Sequence, residues 1–479
     1  MKHITKVIVV SMVMLLSSCN EWLSIAPQND LIKEKFWTKS EDVESSLAAA
    51  YDALRSASLQ SLIFGELRAD IATFNGTSFS SYDQIAGSNI SSTNWVINWS
   101  NYYRAINLAN TLMFFDDDVA EIDQTFTKDI QDGIEAEARF IRSLSYFYLV
   151  RLWKDVPLMT EAAISDTSDI YVPKSTEYEV IDFIIEDLHI AKDLAYTDEF
   201  MGSDYFYGRA NKYAIMALLA DVYLWNEEYE KAIDYCDSIM ETGLFSLEPT
   251  NTYFDVFYPG NSPREAIFEV QYDDNLDGQN NPIYGDLIPV QGSPQVSLDG
   301  QSVNLIMETE DKRRFSGKGA YWKYLGKDAF GLLRRTPSER DANWIIYRYA
   351  DIMLIKAEAS VELGDFGTAN ELIGETLLRA EMPFTDLNDK ELLRQEILDE
   401  RGREFMLEGK RWFDILRAAK RNDFQRKQLI IDMLLSGADI KQQAVLRTRV
   451  YDTMSYYLPI PEHELKYNQN LVQNPFYDR

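Results

Sequence analysis

Apolar residues recur every three or four positions along most of the chain, which is the spacing of a helix that buries one face. The stretch with Val43, Leu47, Ala50, Tyr51 and Leu54 has this pattern. Three further stretches share it: Tyr102, Ile106, Ala109 and Met113; Ala136, Phe140, Leu144 and Phe147; and Tyr178, Ile181, Ile185, Leu188 and Ala191. Clear strand alternation is confined to residues 264–272, within a loop-rich insert at residues 250–345. The pattern predicts an all-α dominated fold with a few short strands.

Two predicted helical pairs, at residues 213–246 and 350–380, repeat one arrangement of small residues. The segments Ala220–Ala232 and Ala357–Ala369 begin and end on alanine with the same spacing of twelve residues. Alanine lets paired helices approach closely, and Gly364 in the second pair suits the turn that reverses the chain. We therefore expect tetratricopeptide-like hairpins that form a scaffold. The alternative is two unrelated hairpins with alanine-rich interfaces.

The first eighteen residues have the three parts of a signal peptide. Two lysines precede the uncharged apolar run Val7–Leu16, and small residues follow it. The run of ten residues is too short to cross a bilayer, which takes about 20 residues. Leu16-Ser17-Ser18-Cys19 resembles the lipobox of bacterial lipoproteins, in which the peptide is removed and the cysteine carries the lipid. We predict a signal peptide at residues 1–18 and lipidation at Cys19, with ordinary secretion as the alternative.

The composition of residues 19–479 limits the possible domain organisation, partners and function classes. No Pro/Gly/Ser-rich linker or low-complexity tract divides residues 19–479, so we predict a single domain. The net charge of −30 disfavours nucleic acid and anionic lipid headgroups as partners. With Cys19 lipidated, Cys236 has no partner within the chain for a disulfide. No second apolar segment of spanning length follows, which argues against a channel.

Several long motifs, in order along the chain, resemble one known family. The most specific are Tyr347–Ala359, Glu400–Arg417 and Leu458–Pro475. Three others support them: Trp99–Met113, Glu135–Pro157 and Gly208–Tyr223. Together with the lipobox they resemble the SusD/RagB family of Bacteroidetes nutrient-binding lipoproteins. A string of separate matches over nearly the whole chain is far more specific than any one motif.

The resemblance implies a tetratricopeptide-like scaffold with an irregular, loop-rich face that holds an oligosaccharide or polysaccharide. It also implies a partner, a TonB-dependent SusC-like outer-membrane barrel over which the lipoprotein acts as a lid. The protein is then lipid-anchored at the outer membrane and faces the cell exterior. Peptide capture by the same scaffold is the alternative, and a glycoside hydrolase or a protein-docking adaptor comes after it. The resemblance implies neither catalysis nor a cofactor.

Aromatic and polar residues in two irregular stretches, 70–95 and 279–324, are the predicted glycan-binding residues. Sugars offer C–H patches to aromatic faces and hydroxyls to polar groups, so we expect rings to stack and acids and amides to form hydrogen bonds. The predicted set is Asp70, Phe74, Asn75, Tyr82, Trp95, Tyr284, Tyr321, Trp322 and Tyr324. For each ring, packing in the core is the alternative.

The charged run at residues 400–417 resembles a catalytic cluster only superficially. Glu400, Glu404 and Glu408 follow each other at i, i+4 spacing with arginines nearby, and we interpret them as acids on one helical face that pair with bases. Beyond the signal peptide the histidines are His189 and His463, and no phosphate loop or nucleophile motif accompanies them. No catalytic residue is predicted, although 77 acids leave room for the carboxylate pair of a glycosidase.

A weak calcium candidate lies in the loop-rich insert. Asp273, Asn275, Asp277 and Gly278 match the first positions of a calcium loop, in which alternating oxygen ligands face one centre. The twelfth position is Tyr284 and not the bidentate glutamate that an EF-hand requires. A solvated polar turn is the preferred interpretation.

Overall fold

Helices make up most of the described chain, as the apolar spacing predicts. The computed structural model describes residues 36–478 except 77–79, 166–168, 197–205, 259, 277, 284–294, 314–322, 324–335, 337–338 and 437–439. The α-helices are α1 (Ser40–Leu62), α2 (Ser81–Ala86), α3 (Ser100–Ile122), α4 (Lys128–Trp153), α5 (Glu177–Leu194), α6 (Lys212–Trp225), α7 (Tyr229–Met240), α8 (Gly300–Ile306), α9 (Tyr349–Leu363), α10 (Phe366–Arg379), α11 (Lys390–Glu404), α12 (Arg411–Phe424), α13 (Gln428–Ser436), α14 (Ile440–Leu446) and α15 (Glu462–Tyr467). A π-helix covers Ile63–Leu67, and 3-10 helices cover Trp95–Ile97, Thr250–Val256 and Thr453–Tyr456.

The long helices pack in sequence as a series of neighbours. Helix α1 contacts α3, which contacts α4, and the series continues through α5, α6, α7, α9 and α10. Each helix thus buries one face on the helix before it and another on the helix after it, as in other stacked helical repeats. Among the described residues, no helix has the combination of length and apolar character that a membrane crossing requires.

Helix α6 lies at the centre of this series, and its sequence explains why. Every residue from Tyr213 to Trp225 is buried, because the helix is apolar on all sides and contacts α5, α7 and both strands of a small sheet. Asn211 begins the helix by accepting hydrogen bonds from the backbone N–H groups of Tyr213 and Ala214. The Asn211 cap therefore sets where α6 begins, whereas the neighbouring helices and strands bury it.

Both predicted helical pairs are confirmed, as α6–α7 and α9–α10. The four alanines that define the repeat are fully buried, which fits their predicted role at close helix contacts. Gly364 ends α9 in the left-handed conformation with φ of 87°, a backbone that glycine adopts without strain. Helix α7 also packs on α9, so the two hairpins stack on each other. Cys236 in α7 is a buried free thiol.

Within the part of the chain that the structure describes, three short two-stranded antiparallel sheets are present. The strands are β1 (Ala72–Phe74), β2 (Val156–Pro157), β3 (Lys174–Ser175), β4 (Ala266–Val270), β5 (Val296–Leu298) and β6 (Trp344–Arg348). Strand β1 pairs with β5, β2 with β3 and β4 with β6. The strand predicted within residues 264–272 is confirmed as β4, whose five residues are all buried.

The charged run at residues 400–417 is structural, but its arrangement differs from the prediction. Helix α11 ends at Glu404, so Glu408 is not on its face and lies in the turn that follows. All three glutamates are buried. Arginines from outside the run pair with them, because Arg348 of β6 contacts both Glu404 and Glu408 and Arg313 contacts Glu400 and Glu404. The acids thus join separate segments, in addition to the pair of Glu400 with Arg403 on the same helix at 2.7 Å.

Candidate functional site

Strand pairing brings the two predicted ligand-binding stretches together. Strand β1 belongs to the first stretch and β5 to the second, and Phe74 is paired with Val296 in the ladder. The pairing extends past the strands, because the backbone N–H of Asn75 donates to the carbonyl of Gln295 at 2.7 Å. The Asn75 side-chain amide also donates to Ser297 Oγ at 2.6 Å. Two segments whose paired residues lie 222 positions apart in sequence therefore form one surface.

Three of the predicted aromatic residues form a continuous row on this surface. The ring centroids of Phe74 and Tyr82 are 5.7 Å apart at an interplanar angle of 64°. Tyr82 and Trp95 have the same 5.7 Å separation at 63°. These are edge-to-face contacts, which hold each ring in a defined orientation. Phe74 and Tyr82 are half-buried, whereas Trp95 is 64% exposed, so the row runs from the core to an open indole.

Short polar contacts fix the backbone beneath Trp95. Asn94 accepts the backbone N–H of Val96 at 3.0 Å and donates to the Ser81 carbonyl at 2.9 Å, which joins the 3-10 helix to α2. Gln60 of α1 donates to the Val96 carbonyl at 2.7 Å, also from a buried position. The indole is thus exposed on a rigid support and not on a loose loop.

The predicted hydrogen-bonding residues have roles in the fold. Asp70 forms a bidentate ion pair with Arg411, with both N–O distances at 2.8 Å. The pKa of Asp70 is lowered from its ordinary value, since the pairing with Arg411 outweighs the cost of burial. The Asn75 amide is engaged with Ser297 as described. Their contact with a glycan stays a prediction, and in the free protein both side chains position β1.

The remaining predicted rings, Tyr284, Tyr321, Trp322 and Tyr324, lie outside the described residues. Lys323, between the last two of them, is described and buried. Its ammonium group donates to Glu408 at 2.7 Å and to the Glu404 carbonyl at 2.6 Å.

The calcium candidate is an exposed polar turn in its described part. Asp273 Oδ1 accepts the backbone N–H and the side-chain amide of Asn275, both at 2.9 Å. These hydrogen bonds lower the pKa of Asp273. Asp277 lies outside the described residues, and within the described ones no three acids, histidines or cysteines cluster as metal ligands do. Calcium binding by this loop stays a prediction.

Buried groups with shifted pKa values have structural partners. Burial raises the pKa of Glu66 to about 8, and this carboxyl accepts the backbone N–H groups of Gly409 and Lys410. Burial also raises the pKa of Glu269 to about 7, and its partners are Asn343 and the backbone of Asn261. Neither acid is exposed to a substrate, so their shifts reflect packing and not a general acid or base.

His189 has a structural environment as well. Its Nε2 is 2.8 Å from the Tyr223 hydroxyl and its Nδ1 is 3.3 Å from the Tyr235 hydroxyl, so the ring joins α5 to the first hairpin. Burial lowers its pKa from the ordinary value. Both ring nitrogens are thus engaged by tyrosine hydroxyls and not by a serine or cysteine nucleophile.

The carboxyl-terminal half of the chain, residues 225–477, matches the family model of the SusD family. The chain belongs to the SusD family. Residues 21–224 match a second SusD-like model, described as starch-binding and associating with the outer membrane. The resemblance inferred from the sequence motifs is therefore confirmed, and membership links the chain to carbohydrate binding and to the outer membrane.

Curated relatives and solved structures agree with this membership. SusD-like protein P38 of Formosa agariphila is 29% identical, with 85% of this chain and 89% of that protein covered. A SusD-like protein of Bacteroides ovatus is 25% identical, with 85% and 81% covered. A SusD superfamily protein of Bacteroides vulgatus has a TM-score of 0.74 at 20% identity, over 92% of this chain and 100% of that one. A SusD homologue of Bacteroides thetaiotaomicron has a TM-score of 0.74 at 19% identity, over 92% and 98%. The predicted fold class is confirmed.

Sequence reasoning named the three rings of the row but not their contact. The rings come from a strand, a helix and a 3-10 helix, and no periodicity relates their positions. Two exposed tyrosines elsewhere, Tyr171 and Tyr467, were not among the predicted residues. The sequence signal that was available for Tyr467 is its polar context, since Asn468, Gln469 and Asn470 follow it directly.

Proposed function

We propose that this SusD-family protein is an outer-membrane lipoprotein that captures an oligosaccharide or polysaccharide and delivers it to a TonB-dependent barrel. The observation that carries the proposal is the row of Phe74, Tyr82 and Trp95, whose outermost indole is 64% exposed. An indole that is held by one ring contact and is mostly exposed can stack on the C–H patch of a sugar ring. Hydroxyl side chains precede Trp95 closely in sequence, at Ser91, Ser92 and Thr93.

Binding without catalysis is the form of this proposal that the site supports. Hydrolysis of a glycosidic bond requires two carboxyl groups on either side of the bond, whereas the row that carries this proposal consists of aromatic rings. Incubation with glycans should therefore release no new reducing ends. Peptide capture is the second candidate function, and it predicts binding through backbone hydrogen bonds and not through the exposed indole.

Trp95→Ala should weaken glycan binding by about 1–3 kcal/mol, the contribution of one buried aromatic contact. Calorimetry with a polysaccharide that the wild-type protein binds, chosen from starch, xylan, laminarin and galactomannan, measures this loss. Phe114→Ala is the matched control, because Phe114 is 55% exposed and lies about 21 Å along α3 from Ser100, so its loss should leave the affinity unchanged. Native affinity in a folded Trp95→Ala protein would place the ligand elsewhere.

Cys19→Ala should leave the protein unlipidated and released from the membrane. The lipobox supports this expectation, and acyl chains contribute about 0.8 kcal/mol per buried CH₂ to membrane binding. Metabolic labelling with a fatty acid should mark the wild-type protein and not the variant, and cell fractionation should move the variant to the soluble fraction. A labelled variant would overturn the assignment of the anchor.

An affinity-tagged protein extracted in mild detergent should bring a TonB-dependent barrel with it. The expectation rests on family membership and not on a contact in the structure. Mass spectrometry of the eluate identifies the barrel, and a tagged unrelated lipoprotein from the same membrane is the control. Recovery of the protein alone, from cells that express both proteins, would contradict the role as a lid.

A further inference from the structure

A second exposed aromatic surface adjoins the row of Phe74, Tyr82 and Trp95. The backbone N–H of Glu462, the first residue of α15, donates to the carbonyl of Ser92 at 2.9 Å. Ser92 is three residues before Trp95, so α15 begins beside the row. The helix has no buried residue, and its last residue, Tyr467, is 76% exposed. A helix that contributes so little to the core is available for contact with something outside it.

A loop from a different part of the chain extends this surface. Asn468 donates to the carbonyl of Val172 at 2.9 Å, and Asn470 donates to the carbonyl of Tyr171 at 2.5 Å. These two amides fix the loop before β3 against the residues that follow α15. Tyr171 is 51% exposed. We call Tyr171, Tyr467 and Asn470 the C-terminal strip.

The one lysine of α15 is paired with an acid of the same helix, which leaves no free lysine or arginine on α15 beside the strip. Lys466 and Glu462 are 2.7 Å apart, and His463 and Glu464 are 3.2 Å apart. Phenol rings and amides then provide the recognition chemistry. This combination suits a polyhydroxyl chain without charges, since a sulfated or acidic glycan would need cations that are not already paired with acids.

We propose that the C-terminal strip is a second contact region for an uncharged glycan, whose chain continues from the row over α15 to Tyr171. The inference rests on the proposed function and adds that the protein selects for chain length. Six helical residues extend over about 9 Å, so one ligand must contain several sugar units to reach both regions. Short fragments contact the row alone, and long ones gain the contacts of the strip.

Calorimetry with fragments of one polysaccharide, separated by length, tests this proposal. The probe is the polymer among starch, xylan, laminarin and galactomannan that the wild-type protein binds, in its intact form and as short and long fragments. The wild-type protein should bind the long fragments more tightly than the short ones. Tyr467→Ala and Tyr171→Ala should each weaken binding of the long fragments by about 3- to 10-fold, as expected for one ring contact. Their affinity for short fragments should equal that of the wild type.

Two controls separate the strip from the row. Trp95→Ala should weaken binding of short and long fragments alike, and Phe114→Ala should affect neither. Wild-type affinity for long fragments in both tyrosine variants would overturn the role of the strip while the proposed function stands. If the tyrosine variants lose the same affinity for short and long fragments, the role of the strip is also overturned. The tyrosines would then contribute to binding at the row or to the stability of the fold. No binding of any polymer by the wild type would instead overturn the proposed function.

Discussion

Arg348→Met should lower the free energy of unfolding by about 3–5 kcal/mol, the usual cost of removing one partner from a buried ion pair. Arg348 is fully buried and contacts three carboxylates, with distances of 2.9 Å to Glu265, 2.6 Å to Glu404 and 2.9 Å to Glu408. Burial alone disfavours charge, yet the pKa of Glu404 is held well below its ordinary value by the surrounding arginines. Without Arg348, the buried carboxylates lose one of the positive charges that offset the cost of burying them.

The variant is compared with the wild type by urea unfolding, followed by circular dichroism. Methionine keeps much of the volume of the arginine side chain. The decrease in the free energy of unfolding therefore results mainly from the lost charge and hydrogen bonds and not from a cavity. Lys128→Met is the matched control, since Lys128 is 69% exposed and its pair with Asp132 should contribute at most about 1 kcal/mol. A similar small effect for both variants would mean that the buried network contributes little to stability.

Gly65→Ala should destabilise the fold by about 3 kcal/mol or more, because it forces two backbones apart. A Cβ atom at Gly65 would lie 2.0 Å from the carbonyl oxygen of Gly409, and backbone atoms cannot rotate away as a side chain can. Gly65 belongs to the π-helix, whose five residues are all buried. Gly409 ends the turn after α11 with φ of 76°, a left-handed conformation that glycine adopts readily.

Thermal and urea unfolding measure the effect of this substitution. Gly374→Ala is the matched control, because a Cβ there would meet only Phe384 at an ordinary 3.5 Å. Within α10, alanine should be neutral or stabilising by up to about 1 kcal/mol. If Gly65→Ala unfolds like the control, the two backbones are not held as close as the structure places them.

The contact of the π-helix with the turn connects the buried charges to the candidate site. Glu66 accepts the N–H groups of Gly409 and Lys410 at 2.8 and 3.0 Å, and Arg411 next to them pairs with Asp70. Asp70 is two residues before β1, which carries Phe74. The ionic network thus supports the strand on which the row begins. A loss of glycan binding in Arg348→Met would be an indirect effect of this support.

The sequence by itself determined the helical scaffold, the two hairpins and the family. These features depend on local spacing: apolar residues at helical intervals, alanines twelve positions apart and a glycine at the turn. The motif order along the chain then identified the family before any contact was known. The strand within residues 264–272 could be predicted for the same reason, since the alternation of apolar and polar residues is a local pattern.

Only the tertiary structure decided which irregular residues meet and which of them are exposed. Phe74, Tyr82 and Trp95 come together because β1 pairs with β5 and Asn94 fixes the 3-10 helix on α2, and neither contact leaves a periodic signal. Asp70 was predicted to face a ligand, but its partner Arg411 is 341 residues away in sequence. The burial of Glu400, Glu404 and Glu408 likewise depends on arginines from distant segments. Local spacing predicts an element and its face, whereas the partner on that face is set by long-range packing.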